Sequence, residues 1–200
     1  MGKASELLLM GMAAVFALAV ALSWVGVSTA LVAGTALLML IALQIVWQDM
    51  LTLTIADGAS LALAIVGVTL RLQAGLGIGF PLKDEIVVIA IEAGATFAVL
   101  FGLREYWYRR RGFDGLGLGD VKLAAAGAAT LGAPALSAAL LMASLAGLAT
   151  FGALRLWRGP AALSSKLAFG ALLAPAIVAV EIVISRSGWL GPLAGPEWQP

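Results

Sequence analysis

Neither cysteine nor histidine occurs among the 200 residues of the chain. The first absence excludes disulfides, thiolate nucleophiles and cysteine-ligated metals. The second removes Ser-His and Cys-His catalysis and most zinc sites. Charge is scarce as well. Charged residues make up 12% and hydrophobic residues 62%, where soluble domains carry roughly 25% and 45–50%. Such a chain cannot cover a water-facing surface with polar side chains, so lipid must be much of its solvent. No cofactor fingerprint is present, and neither a cofactor nor a metal is expected. Any acid–base chemistry must then come from carboxylates, lysines, tyrosines or water. The net charge of +1 points to no nucleic-acid partner.

What the chain does have is apolar runs. Apart from Glu6 and two serines, residues 5–24 are apolar, and their length is close to the roughly 20 residues that cross a bilayer. They read as a retained anchor. The signal-peptide reading has a single basic residue, Lys3, and only a weak cleavage site at Ala19-Val20-Ala21. Glu6 stands where a myristoylation signal needs Ser or Thr. Further segments follow at about 30–47, 58–72, 85–106, 121–131, 135–156 and 167–184, with the glycines of 73–84 reading as a loop. The expected fold is all-α, a polytopic membrane helix bundle of about seven segments. The expected divisions are an extra span over 1–25, the main membrane domain over 26–185 and a glycine- and proline-rich tail over 186–200.

The cationic residues orient this bundle. If every segment crosses, Lys3, Arg104, Arg109, Arg110, Arg111, Lys122, Arg155, Arg158 and Lys166 share one side, and Arg71, Lys83 and Arg186 the other. The rich side reads as cytoplasmic by the positive-inside rule. Trp107, Tyr108 and the arginines form an interfacial girdle. This arrangement places Asp49 and Asp120 at the same cytoplasmic face, although they lie far apart in sequence.

Two aspartates facing one another are the plainest catalytic device left. Carboxylates that share a site repel, one holds a proton and the other does not, and the pair can serve as acid and base at once. The bland alternatives remain open. Asp120 follows Gly115-Leu116-Gly117-Leu118-Gly119 and stands where an N-cap would stand before an apolar helix. Asp49 at the end of a span reads equally as an interfacial acid. Asp57, Asp114 and Glu105 share that face and could replace Asp49 in a pair. Glu92 and Glu181 fall inside spans nearer the other face, where intramembrane acids are functional suspects by default. Pairing with Arg71 or Arg186 is the simpler expectation for them. A dinucleotide fingerprint would need a third glycine where Asp120 stands, and the Gly-Lys-Ser/Thr ending of a P-loop is missing.

Gly117-Leu118-Gly119-Asp120 followed by Val121-Lys122-Leu123 resembles the second aspartate motif of the type IV prepilin peptidases, membrane aspartic proteases of the GxGD class. Asp49 with Asp57 eight residues later, inside Ile55-Ala56-Asp57, is similar to the family's first motif. Lys166 and Phe169-Gly170, with Pro175 beyond, resemble its later Pro-Phe-Gly-Pro region. Two departures stand out: Ala56 replaces the customary proline, and basic residues between Asp49 and Ile55 are missing. The likeness covers about residues 30–185. It implies an aspartic endopeptidase of the bacterial inner membrane that cleaves the short basic leader of prepilin-like substrates, with its active site toward the cytoplasm. Asp49 and Asp120 would be its catalytic pair, and Gly117 and Gly119 would let the backbone approach the substrate. Without the cysteine-containing region, the chain looks like the short, peptidase-only form found with tight-adherence pili. The alternative is a non-catalytic membrane protein, an ion-coupled carrier or a pilus-assembly factor, whose acids would lie near the bilayer midplane. The sequence does not fix an oligomeric state.

Overall fold

The computed structural model describes residues 29–77, 79–112, 116–158 and 168–187. Its described elements are six helices: α1 (Thr29–Thr52), α2 (Asp57–Gly77), α3 (Leu82–Arg111), α4 (Leu118–Leu131), α5 (Ala133–Arg158) and α6 (Gly170–Ser187). Among the described residues there is no strand. The all-α bundle therefore stands, while the anchor at 5–24, the tail beyond 187 and Asp114 lie outside the described residues. Helices α1, α2, α3 and α5 each contain a stretch long and apolar enough to cross a membrane.

Helix α4 is the hub. It packs against α2, α3, α5 and α6, while α1 lies against α2 and α6. Its sequence explains that position: apart from Leu123 and Leu131, the run from residue 123 to 131 is built from Ala, Gly and Thr. Small side chains let neighbouring backbones approach closely, which is how helices gain packing energy where lipid is the competing solvent. Leu123, Ala124 and Ala128 are buried, and they meet Leu38 and Ile45 of α1, Leu63 of α2, and Leu173 and Ile177 of α6 in one apolar core. With 14 residues, α4 is about 21 Å long, too short to cross a hydrocarbon layer of about 30 Å. Gly132, with φ at 81°, ends it, and α5 starts at once.

The limits of two helices differ from the sequence-based expectation. The stretch 73–84, read as a loop, is helical to Gly77 and again from Leu82, with Pro81 as N-cap of α3. Glycines at 75 and 77 weaken a helix by only about 1 kcal/mol each, which packing overrides. Helix α3 also runs beyond the girdle. Its 30 residues span about 45 Å, and it ends only where Gly112 takes the left-handed cap conformation. Along that overhang Arg110 lies over the Tyr106 ring and Arg111 over the Trp107 ring. The aromatic girdle and the basic cluster are thus one continuous helical surface.

Candidate active site

Asp49 stands one turn before the end of α1 and is only 5% exposed. The helix closes behind it. The N–H of Leu53 donates to the Asp49 carbonyl at 2.9 Å, and Leu53 takes a left-handed φ of 52°. The chain then turns inward, so that Ile55 lies between the beginnings of α4 and α6. A Cβ at Gly119 would stand 3.1 Å from that of Ile55, and a Cβ at Gly170 would collide with the Ile55 side chain. Close approach, not an unusual backbone angle, is what favours glycine at both positions, more strongly at Gly170.

Asp120 is not the N-cap that its place in the sequence suggests. The cap is Gly117, α4 begins at Leu118, and Asp120 is the third helical residue. From there its carboxylate folds back toward the Gly117 N–H, as the acid of a capping box does. It also faces the N–H of Gly170 at the start of α6. The next N–H of that helix, from Ala171, donates to Asp49 Oδ2 at 2.8 Å. The first amides of a helix have no partner within the helix and carry a partial positive charge. Here two successive ones serve the two aspartates.

Both carboxylates line one cavity of about 300 Å³, together with Gly117, Gly119, Thr54 and Leu118. Asp57 and Lys122 complete the lining, joined by an ion pair of 2.7 Å between α2 and α4. Asp57 is 75% exposed, so the pair sits at the mouth. Burial, and after it the charge of Asp49, pushes the Asp120 carboxyl up to about 6, although the Gly117 and Gly170 amides pull the other way. A carboxyl that keeps its proton near pH 6 beside a second aspartate can donate a hydrogen bond while its neighbour accepts one. A pair of this kind can move a proton in each direction without any other group.

The remaining sequence candidates are spread out. Glu105 pairs with Arg109 one turn along α3. Glu92 lies at the other end of the bundle, paired with Arg71 at 2.7 Å as expected. Glu181 is near them but forms no ion pair among the described residues, and the Arg186 side chain lies outside those residues. Sequence reasoning overlooked the donors of Gly170 and Ala171 and the wedge of Ile55. The one available signal was the glycine after Phe169. Among the described residues, no group of acids is arranged to hold a metal ion.

The sequence model of the type IV leader peptidase family matches residues 36–152, more than half of the chain and including both aspartates. The chain belongs to the type IV leader peptidase family. No curated protein and no solved structure gives a significant match. The matched region ends before α6, so the helix whose amides face both carboxylates lies beyond it. Family membership and the long apolar helices together describe a multi-pass membrane protease.

Proposed function

We propose that the chain is a membrane aspartic endopeptidase that removes the short basic leader of prepilin-like proteins, with Asp49 and Asp120 as its catalytic pair. The observation that carries this reading is the convergence of both carboxylates on one cavity, with successive amides of α6 turned toward them. Asp120, whose carboxyl is pushed up by burial, holds the shared proton, and Asp49 acts as the base. Asp49 takes a proton from water as the water oxygen bonds to the scissile carbonyl carbon, and Asp120 gives its proton to the carbonyl oxygen. Asp49 then gives the proton it took to the amide nitrogen while Asp120 takes one back from a hydroxyl of the tetrahedral intermediate; the C–N bond breaks to give an amine and a carboxylic acid, and the pair is left again with one proton on Asp120. Gly117 and Gly119 border the place a peptide would occupy. The excess of cations on the side of Arg109–Arg111 supports a cavity that opens toward the cytoplasm.

The test is co-expression with a prepilin and separation of precursor from product. Asp49→Asn and Asp120→Asn should each leave the precursor uncut while the purified protein still unfolds cooperatively. Cleavage at the wild-type rate by either variant would overturn the assignment of the pair.

A further inference from the structure

A second cavity lies at the end of the bundle away from the aspartates, about 370 Å³ in volume, and its polar border is made by Arg71, Glu85, Glu92, Glu181, Thr130 and Ser185. Arg71 stands 14 residues along α2 from Asp57, about 21 Å of helix. Two of its three nitrogens are engaged, Nε and Nη1. Nε meets Glu85 Oε1 and Nη1 meets Glu92 Oε2, each at 2.7 Å, and Nη1 also lies 3.3 Å from the Ala128 carbonyl. Glu92 uses its other oxygen to accept the Ala133 N–H at 3.1 Å. The start of α5 is thereby tied to α3 through Glu92, and the end of α4 to α3 through Arg71 of α2.

Glu181 is the group this network leaves over. It is 92% buried, being 8% exposed, and it borders the cavity. Among the described residues its carboxylate forms no hydrogen bond and no ion pair, and Arg71 reaches it only as a longer-range charge. Three carboxylates thus face one guanidinium. A buried ionised carboxylate without a partner is costly, so the group either holds a proton or is matched by a positive charge. The rest of the wall is largely hydrocarbon, from Leu31, Leu70, Val88 and Leu131. The carboxylates do not converge as the six or more oxygens of a hard divalent cation would require. A cation with one or two donors and an apolar body fits both parts of the wall. The volume is within the range of about 300–1,000 Å³ typical of small-molecule sites.

We propose that this cavity is a binding site for an organic monocation, a primary ammonium carrying a short alkyl chain, with Glu181 as the carboxylate that receives its charge. The ammonium donates to Glu181, and the chain lies along the leucines and Val88. The site is independent of the peptidase reading, because none of its residues borders the cavity of Asp49 and Asp120.

Titration calorimetry of the detergent-purified full chain with hexylammonium tests this, with 1-hexanol as the uncharged probe of equal length. Saturable binding of hexylammonium and none of hexanol is expected. Glu181→Gln should weaken the binding about tenfold or more, as loss of a charge-assisted hydrogen bond does, and Glu181→Asp should restore most of it. Equal affinity in wild type and Glu181→Gln, equal binding of hexanol, or no saturable binding at all would overturn the proposal. Displacement of hexylammonium by sodium at equal or lower concentration would also overturn it, in favour of an inorganic ion. If Glu181→Gln does not fold, the two wild-type titrations and the sodium competition decide the matter.

Discussion

Consider Asp120→Asn at pH 8, where the wild-type carboxyl is ionised in both the folded and the unfolded chain. Folding raises that carboxyl from 3.8 to about 6, so the ionised form is disfavoured in the folded protein. At roughly 1.4 kcal/mol for each pH unit, the rise corresponds to a cost of about 3 kcal/mol. Asp120 opens onto a cavity reached by solvent, and screening there reduces this to about 1–2 kcal/mol. Asparagine removes the charge and keeps an Oδ1 acceptor for the amides of Gly117 and Gly170. The variant should therefore be more stable than the wild type at pH 8. For a chain of this size, about 2–4 °C per kcal/mol gives a rise of roughly 2–8 °C in the unfolding midpoint. The sign follows from linkage: with the folded value raised, the wild type loses stability as pH climbs from 3.8 to about 6 and pays nothing further above that. The advantage of asparagine should accordingly shrink as pH falls below 6 and be nearly gone at pH 4. Thermal unfolding in detergent at pH 4, 5 and 8 measures it. An equal advantage at pH 4 and pH 8, or an asparagine variant less stable at pH 8, would refute the reasoning. Loss of prepilin cleavage with a gain in stability is the pattern of a group kept for chemistry at the expense of the fold.

Gly170→Val should place a side chain against both Ile55 and Asp49 Oδ2, which a Cβ at that position would approach to 3.0 Å. Cleavage should fall at least tenfold, read as precursor accumulation, while the far-UV spectrum stays helical. Arg71→Met leaves the partly buried Glu85 and Glu92 without their partner, so it should destabilise the bundle by up to about 3 kcal/mol, seen as a lower unfolding midpoint. Lys122→Met breaks the ion pair with the exposed Asp57, which should cost under about 1 kcal/mol. An unfolding midpoint within a few degrees of the wild type checks that value.

Much of this site was legible before any fold was known, because its chemistry is carried by particular side chains. With no cysteine and no histidine, proton transfer falls to carboxylates, and the count of cations on each side put Asp49 and Asp120 at one face. Their run of neighbours was contiguous and therefore readable. The error at Asp120 was one of register. A glycine-rich run into an acid before an apolar helix looks like a cap at the acid, yet the helix begins two residues earlier at Leu118. Glycine and leucine give no marked start signal, so packing against Ile55 set the boundary. The missed loop limits near residues 77 and 82 have a similar cause, since glycine in a packed apolar helix is tolerated.

Composition and order alone therefore determined that the chain is helical and lipid-solvated, and that two aspartates are available on one side. Tertiary structure decided what holds them. The donors to Asp49 and Asp120 are backbone amides of Gly170 and Ala171, and every residue except proline owns such a group. No letter in the sequence marks an amide as free. It becomes a donor only because α6 begins there, beside α1 and α4. In the same way Arg71, Glu85, Glu92 and Glu181 are scattered acids and a base until three helices bring them to one cavity. Which carboxylate the arginine leaves unpaired is fixed by reach and angle, and these exist only in the assembled bundle.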